Sequence, residues 1–254
     1  MFSELITAIK ENAAYFAEFS GIIVGMFLIA YAIEKAGKKR IGDTERILTT
    51  RKIVIIGIFS AISAILYVLD FPVFFAPDFY KLDFSELPAL IGAFAFGPVT
   101  GVMIEFIKQI LKLLLKGTST AFVGDLANFV IGCSFILPAS ILYYFKKGKK
   151  MALLSCLTGS LVITVFGSLF NAIYLLPAFA ALYGAPMEAL IGAGTAINPA
   201  ITNITTFVLF AVAPLNLVKG IMISVITMLV YKPLSPVLKS GYVRKKAADN
   251  TAAR

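Results

Sequence analysis

Long apolar runs separated by short polar segments dominate this chain. Seven stretches approach the roughly 20 mostly apolar residues that one helical crossing of a bilayer needs: 14–35, 53–70, 87–103, 103–116, 122–145, 151–178 and 213–231. The third and fourth are short and divided by FGPVTG, where Pro98, flanked by Gly97 and Gly101, interrupts a helix. Residues 179–212 are only mildly apolar and carry Gly184, Pro186, Gly192, Gly194 and Pro199, which predicts a long structured loop with helical pieces.

Composition agrees with a membrane protein. Apolar residues make up 59% of the 254 and charged residues 15%, with a mean hydropathy of +0.90, against roughly 45–50% and about 25% in soluble domains. The expected fold class is therefore an all-α integral membrane protein. The chain has no histidine, which removes histidine metal sites and histidine bases from consideration. Cys133 and Cys156 lie in apolar runs and read as packing residues, not a disulfide framework.

Charge gives the expected orientation. Residues 35–52 hold seven Lys and Arg, 146–150 hold four and the tail from Lys232 holds six. With seven crossings all three segments fall on one side, as the positive-inside rule requires. The C-terminus is then cytoplasmic and the N-terminus outside. The net charge of +9 reads as a topology signal and not as a nucleic-acid surface. The first crossing carries Glu4, Glu11 and Glu18 around its start and a basic segment after it, the pattern of a retained anchor and not of a cleaved signal. The expected divisions are an anchor and basic linker at 1–52, a working core at 53–235 and a basic tail at 236–254.

Charges and amides inside crossings are costly, so each calls for a partner or a cavity. Glu105, Lys108, Lys112 and Lys116 share one helical face; Glu105 and Lys108 can neutralise each other, and Lys116 can reach the interface. Asp125 can cap the fifth helix and bond Lys112 or Lys116. Asn171, Asn216 and Lys219 have no acidic residue near them in sequence and read as a polar cluster at the outer ends of their crossings, a candidate ligand pocket. Asn128 adds a weaker candidate, with Asp125 and Thr118. Residues 71–90, FPVFFAPDFYKLDFSELPAL, are too aromatic for a solvated loop. They read either as an interfacial belt or as a lid over a flat ligand.

No phosphate loop, nucleophile elbow, zincin motif or cysteine–histidine pair is present. The expectation is a protein with no catalytic residues, no metal and no cofactor. The halves 53–145 and 151–231 show no clear repeat, which weighs against an inverted-repeat transporter.

Three long motifs carry a resemblance. Residues 79–132, FYKLDFSELPALIGAFAFGPVTGVMIEFIKQILKLLLKGTSTAFVGDLANFVIG, with FNAIYLLP at 170–177 and APLNLVKGIMISVITMLVYKPLS at 213–235, resemble the RibU family. These are the riboflavin-specific substrate-binding (S) components of energy-coupling factor (ECF) vitamin transporters. The resemblance covers 53–235 and implies a six-helix core plus one extra N-terminal helix, in the plasma membrane of a prokaryote. It implies riboflavin as substrate, and a transmembrane coupling protein with two ABC ATPases as partners. By the same resemblance Asn171, Asn216 and Lys219 hold the flavin, with Asn128, Phe84 and Leu87 as further contacts, and loop 71–86 is the gate. A carboxamide presents a donor and an acceptor together, which suits the imide edge of a flavin. The family meets its coupling protein through small residues on the first core helix; here Gly57/Ala61 and Ser60/Ala64 are the two candidate pairs, with internal packing as the other use for them. The alternative function is a self-sufficient carrier or channel for a flavin or another vitamin that needs no ATPase.

Overall fold

The computed structural model describes residues 13–252 apart from Asp43, Ser119 and Ala121. In chain order the helices are α1 (Ala13–Ile41), α2 (Thr50–Val68), α3 (Glu86–Phe96), α4 (Pro98–Lys116), α5 (Val123–Phe145) and α6 (Lys149–Phe170). They continue with α7 (Leu176–Tyr183), α8 (Met187–Thr195), α9 (Ile204–Phe207) and α10 (Ala213–Ala252). A two-residue hairpin, β1 (Phe71–Pro72) with β2 (Lys81–Leu82), joins α2 to α3.

Among the described residues, five helical segments are long and apolar enough to cross a bilayer: Ser20–Arg40, Thr50–Val68, Val123–Phe145, Lys149–Tyr183 and Ile204–Leu234. The two remaining core helices form a hairpin. At about 1.5 Å per residue, the 11 residues of α3 are too short to span alone, and α4 carries four charges. Gly97 sits between them at φ 112°, with Pro98 at the first position of α4, so the break falls where the sequence puts it.

The stretch 179–212 departs from the expected loop. Helix α6 runs without a gap through a π-turn at Asn171–Leu175 into α7. Helix α9 starts on a capping box between Asn203 and Thr206 and passes through a second π-turn, Val208–Val212, into α10. Two helical runs are thus longer than predicted: one continues to Tyr183 and the other begins at Ile204, each through a π-turn that precedes a proline, Pro177 or Pro214. The tail continues as helix to Ala252.

The basic segments meet at one end of the bundle. There Lys52 Nζ donates to Ile47 O at 2.9 Å and to Glu34 Oε1 at 3.5 Å. Arg40 lies over the Phe145 ring, and Lys147 and Tyr231 both donate to Phe94 O. Phe94, Tyr143 and Tyr231 pack as an aromatic triad beneath them. Helix α1 docks on α4 and α5, and its fully buried Glu34 accepts the Val99 N–H at 2.9 Å. That carboxylate caps the start of α4, where unpaired N–H groups favour an anion.

Candidate substrate-binding cavity

At the opposite end the bundle opens into a cavity of about 490 Å³. Its walls come from the segment after α2 (Phe79, Tyr80, Asp83), from α4 and α5 (Lys112, Asn128, Ile131), from the first π-turn and α7 (Asn171, Leu175, Phe179) and from α10 (Leu215, Asn216, Lys219). The structure therefore brings Asn128, Asn171, Asn216 and Lys219 to one space although they lie on three separate helical segments. Phe84 and Leu87 are not in that wall; they pack into the apolar core. Asp83 and Glu86 occupy the cavity-facing positions of the same segment, which turns their neighbours inward.

Lys219 corrects one expectation. No acidic residue lies near it in sequence, yet its ammonium donates to Asp83 Oδ2 at 3.1 Å and Glu86 Oε1 at 2.8 Å. Both carboxylates come from more than 130 residues away, so no local pattern could reveal them. Behind this pair, Lys108 forms an ion pair with Glu105 Oε2 at 2.6 Å and donates to Ser85 Oγ at 3.0 Å, with Glu86 Oε1 at 3.6 Å. Three carboxylates and two ammoniums are thus buried together. Burial alone would raise the Asp83 carboxyl, but Lys219, Lys108 and the Ser85 N–H hold it below the usual carboxylate range. An ammonium has three donors; two of those on Lys219 are spent on carboxylates, leaving one for a ligand.

The amides differ in what they leave free. Asn171 has one partner at each end of its carboxamide: Oδ1 accepts the Tyr80 hydroxyl at 2.7 Å and Nδ2 donates to Gly167 O at 2.7 Å, which leaves one lone pair and one N–H. Asn128 Oδ1 accepts Gln109 Nε2 at 2.6 Å. Asn216 Nδ2 is buried and has no hydrogen-bond partner among the described residues. Gly167 makes room for it, since a Cβ there would lie 2.7 Å from Asn216 Nδ2. Asp125 bonds Lys112 and accepts the Thr118 hydroxyl, the structural role open to it in the sequence.

The aromatic segment folds over the cavity. Ala76, Tyr80 and Leu82 are buried against Phe207, Ala211 and Val212, and Phe79 packs on Tyr80 and Phe179. Phe74 stands out at 92% exposure. At the rim Asp70 lies between Lys81 and Lys116, at 3.3 and 3.7 Å. Tyr80, Gln109 and Phe179 also line the cavity or support its walls, and the sequence carries only partial signals for them. Tyr80 lies in the aromatic run 71–90, and Gln109 lies one helical turn from Glu105 and Lys112 on the polar face of α4.

The family described as ECF transporter, substrate-specific component, matches residues 51–231. The chain belongs to that family. It is 32% identical over 190 residues to the riboflavin transporter FmnP of Bacillus subtilis, covering 74% of this chain and 94% of the relative. It is 30% identical over 189 residues to the riboflavin transporter RibU of Staphylococcus aureus, covering 74% and 93%. A solved chain reported under "Structure and mechanism of the S component of a bacterial ECF transporter" superposes with TM-score 0.57 at 31% identity, covering 74% of this chain and 97% of that one.

As an S component, the chain carries its family core from α2 onward, and α1 lies outside it. The two small-residue pairs on α2 separate cleanly. Ser60 and Ala64 are buried within the protein, whereas Gly57 and Ala61 face outward between exposed Val54, Ile58 and Ile65.

Proposed function

We propose that this S component binds riboflavin in the cavity described above and delivers it as cargo, not as a cofactor, to an ECF importer. The observation that carries the reading is the cavity's chemistry in a chain about 30% identical to named riboflavin transporters. Its volume falls within the roughly 300–1,000 Å³ typical of small-molecule sites. Phe79, Phe179, Leu175, Ile131 and Leu215 supply flat apolar surface for an isoalloxazine ring. The unpaired Asn216 N–H and the remaining Lys219 N–H offer donors to ring carbonyls or ribityl oxygens. Asn128 and Asn171 complete the polar set.

The cavity lies at the end away from the basic segments, so the positive-inside rule makes it extracellular and the C-terminus cytoplasmic. The outward pair Gly57/Ala61 is the surface on which a transmembrane coupling protein packs, with two ABC ATPases supplying energy. Nothing in this reading asks the chain for catalysis.

The purified protein is tested by its absorption spectrum and by quenching of riboflavin fluorescence. A stoichiometric flavin band or saturable quenching supports the assignment, and absence of both overturns it. In liposomes, uptake only after addition of the coupling and ATPase subunits supports the S-component role; uptake by the chain alone would make it a carrier.

A further inference from the structure

We infer that the buried charge cluster behind the cavity floor binds one proton at neutral pH, shared between Glu86 and Glu105. This is a property of the free protein and does not depend on what the cavity binds.

The charges of the cluster do not cancel. Asp83, Glu86 and Glu105 share a buried space with Lys108 and Lys219, so full ionisation would leave one negative charge without a counter-ion. The surrounding elements supply none. Tyr67 of α2, whose ring lies 5.5 Å from Lys108 Nζ, and Cys133 of α5 are not cations, and Lys112 is taken by Asp125. A buried carboxylate without a partner is costly enough that it takes up a proton instead. Among the described residues no group of three or more acidic or thiol side chains could hold a metal ion, which favours a proton over a metal as the missing cation.

The unpaired oxygens place the proton. Asp83 is satisfied at both ends, since Oδ1 accepts the Ser85 N–H at 2.8 Å and Oδ2 accepts from Lys219 at 3.1 Å. Glu86 meets Lys219 through Oε1 at 2.8 Å, but its Oε2 is buried with no hydrogen-bond partner among the described residues. Glu105 is fully buried and has only its ion pair with Lys108; neither of its oxygens is hydrogen-bonded. The two glutamates converge over Gly132, where a Cβ would lie 2.6 Å from Glu105 Oε2 and 3.5 Å from Glu86 Cγ. An ionised carboxylate only accepts, whereas a protonated carboxyl also donates. One proton between these two side chains therefore cancels the excess charge and supplies the donor that both lack. Glu86 and Lys219 line the cavity, so the proton lies directly behind its floor and keeps that floor neutral for an uncharged ligand.

Infrared difference spectroscopy of the detergent-purified chain at neutral pH tests this. The parent should show the carbonyl stretch of a protonated carboxylic acid, shifted in heavy water. Glu105→Gln should lose that band, and so should Glu86→Gln, because either change leaves two carboxylates facing two ammoniums. Asp70→Asn, at the rim and outside the cluster, should keep it. A parent without the band, or a band that persists in either glutamine variant, overturns the proposal. Stabilisation of a band-free parent by sodium over choline would also overturn it, by giving the excess charge to a metal cation. Melting curves provide a second readout. The folded parent holds a proton that the unfolded chain releases, so its stability should fall as pH rises. Glu105→Gln should gain on the parent with rising pH, and an advantage that shrinks instead overturns the proton. Glu86→Gln serves for the same comparison where Glu105→Gln fails to fold.

Discussion

Lys219 and Glu86 meet at 2.8 Å across 133 residues of sequence. Their contact ties the start of α3 to the upper part of α10 and, through Asp83 and Lys108, to the aromatic segment and α4. The polar floor of the cavity is thus also a structural joint, and substitutions there act on binding and stability together.

Lys219→Met should lower both. Removing one partner of a buried ion pair costs about 3–5 kcal/mol, because Asp83 and Glu86 are left without their main cation. Thermal unfolding in detergent should fall by several degrees, and adding Glu86→Gln should recover part of the loss. A Lys219→Met protein of undiminished stability would mean that the pair contributes nothing net.

Asn216→Ala should separate the two effects. Its Nδ2 is buried without a protein partner, so the free protein should lose little or even gain stability. Riboflavin affinity should fall by roughly 2- to 12-fold, equivalent to one hydrogen bond of about 0.5–1.5 kcal/mol. Quenching titrations paired with a melting curve read both quantities, and unchanged affinity would remove Asn216 from the site.

The outward and buried faces of α2 should respond differently to bulk. Ala61→Leu is expected to leave flavin affinity within a few-fold and to abolish co-purification with the coupling protein, since close helix approach needs small residues. Ala64, at 1% exposure, should instead lose about 1–3 kcal/mol of stability on substitution by leucine through overpacking. Pull-down with the coupling protein and thermal unfolding distinguish the two.

Glu34→Ala tests whether α1 is part of the folded unit. The carboxylate caps α4 and lies beside Lys52, so its loss should cost about 0.5–2 kcal/mol, the range of a lost N-cap. Flavin affinity should hold, because the cavity is at the other end. A melting temperature equal to the parent's would show that α1 docks without Glu34.

The apolar runs fixed most of the helices and the position of the α3–α4 break, because hydrophobic length and a Gly–Pro pair act locally. The basic segments predicted a shared end, and the contacts of Lys52, Arg40 and Lys147 around Glu34, Phe145 and Phe94 bring 35–52 and 146–150 to one end. Asn128, Asn171, Asn216 and Lys219 could be flagged one by one, since an amide or ammonium in an apolar run is costly wherever the helix packs. Phe84 and Leu87, expected from the resemblance to contact the flavin, pack into the apolar core instead, because a short hairpin and the start of α3 set their direction. Only the tertiary structure decided that Lys219 is answered by Asp83 and Glu86, that Tyr80 closes on Asn171 and that Glu34 caps α4. Each of these joins groups tens to more than a hundred residues apart, and a buried charge or donor is satisfied by whatever the fold brings within about 3 Å, a distance that carries no trace in the local pattern.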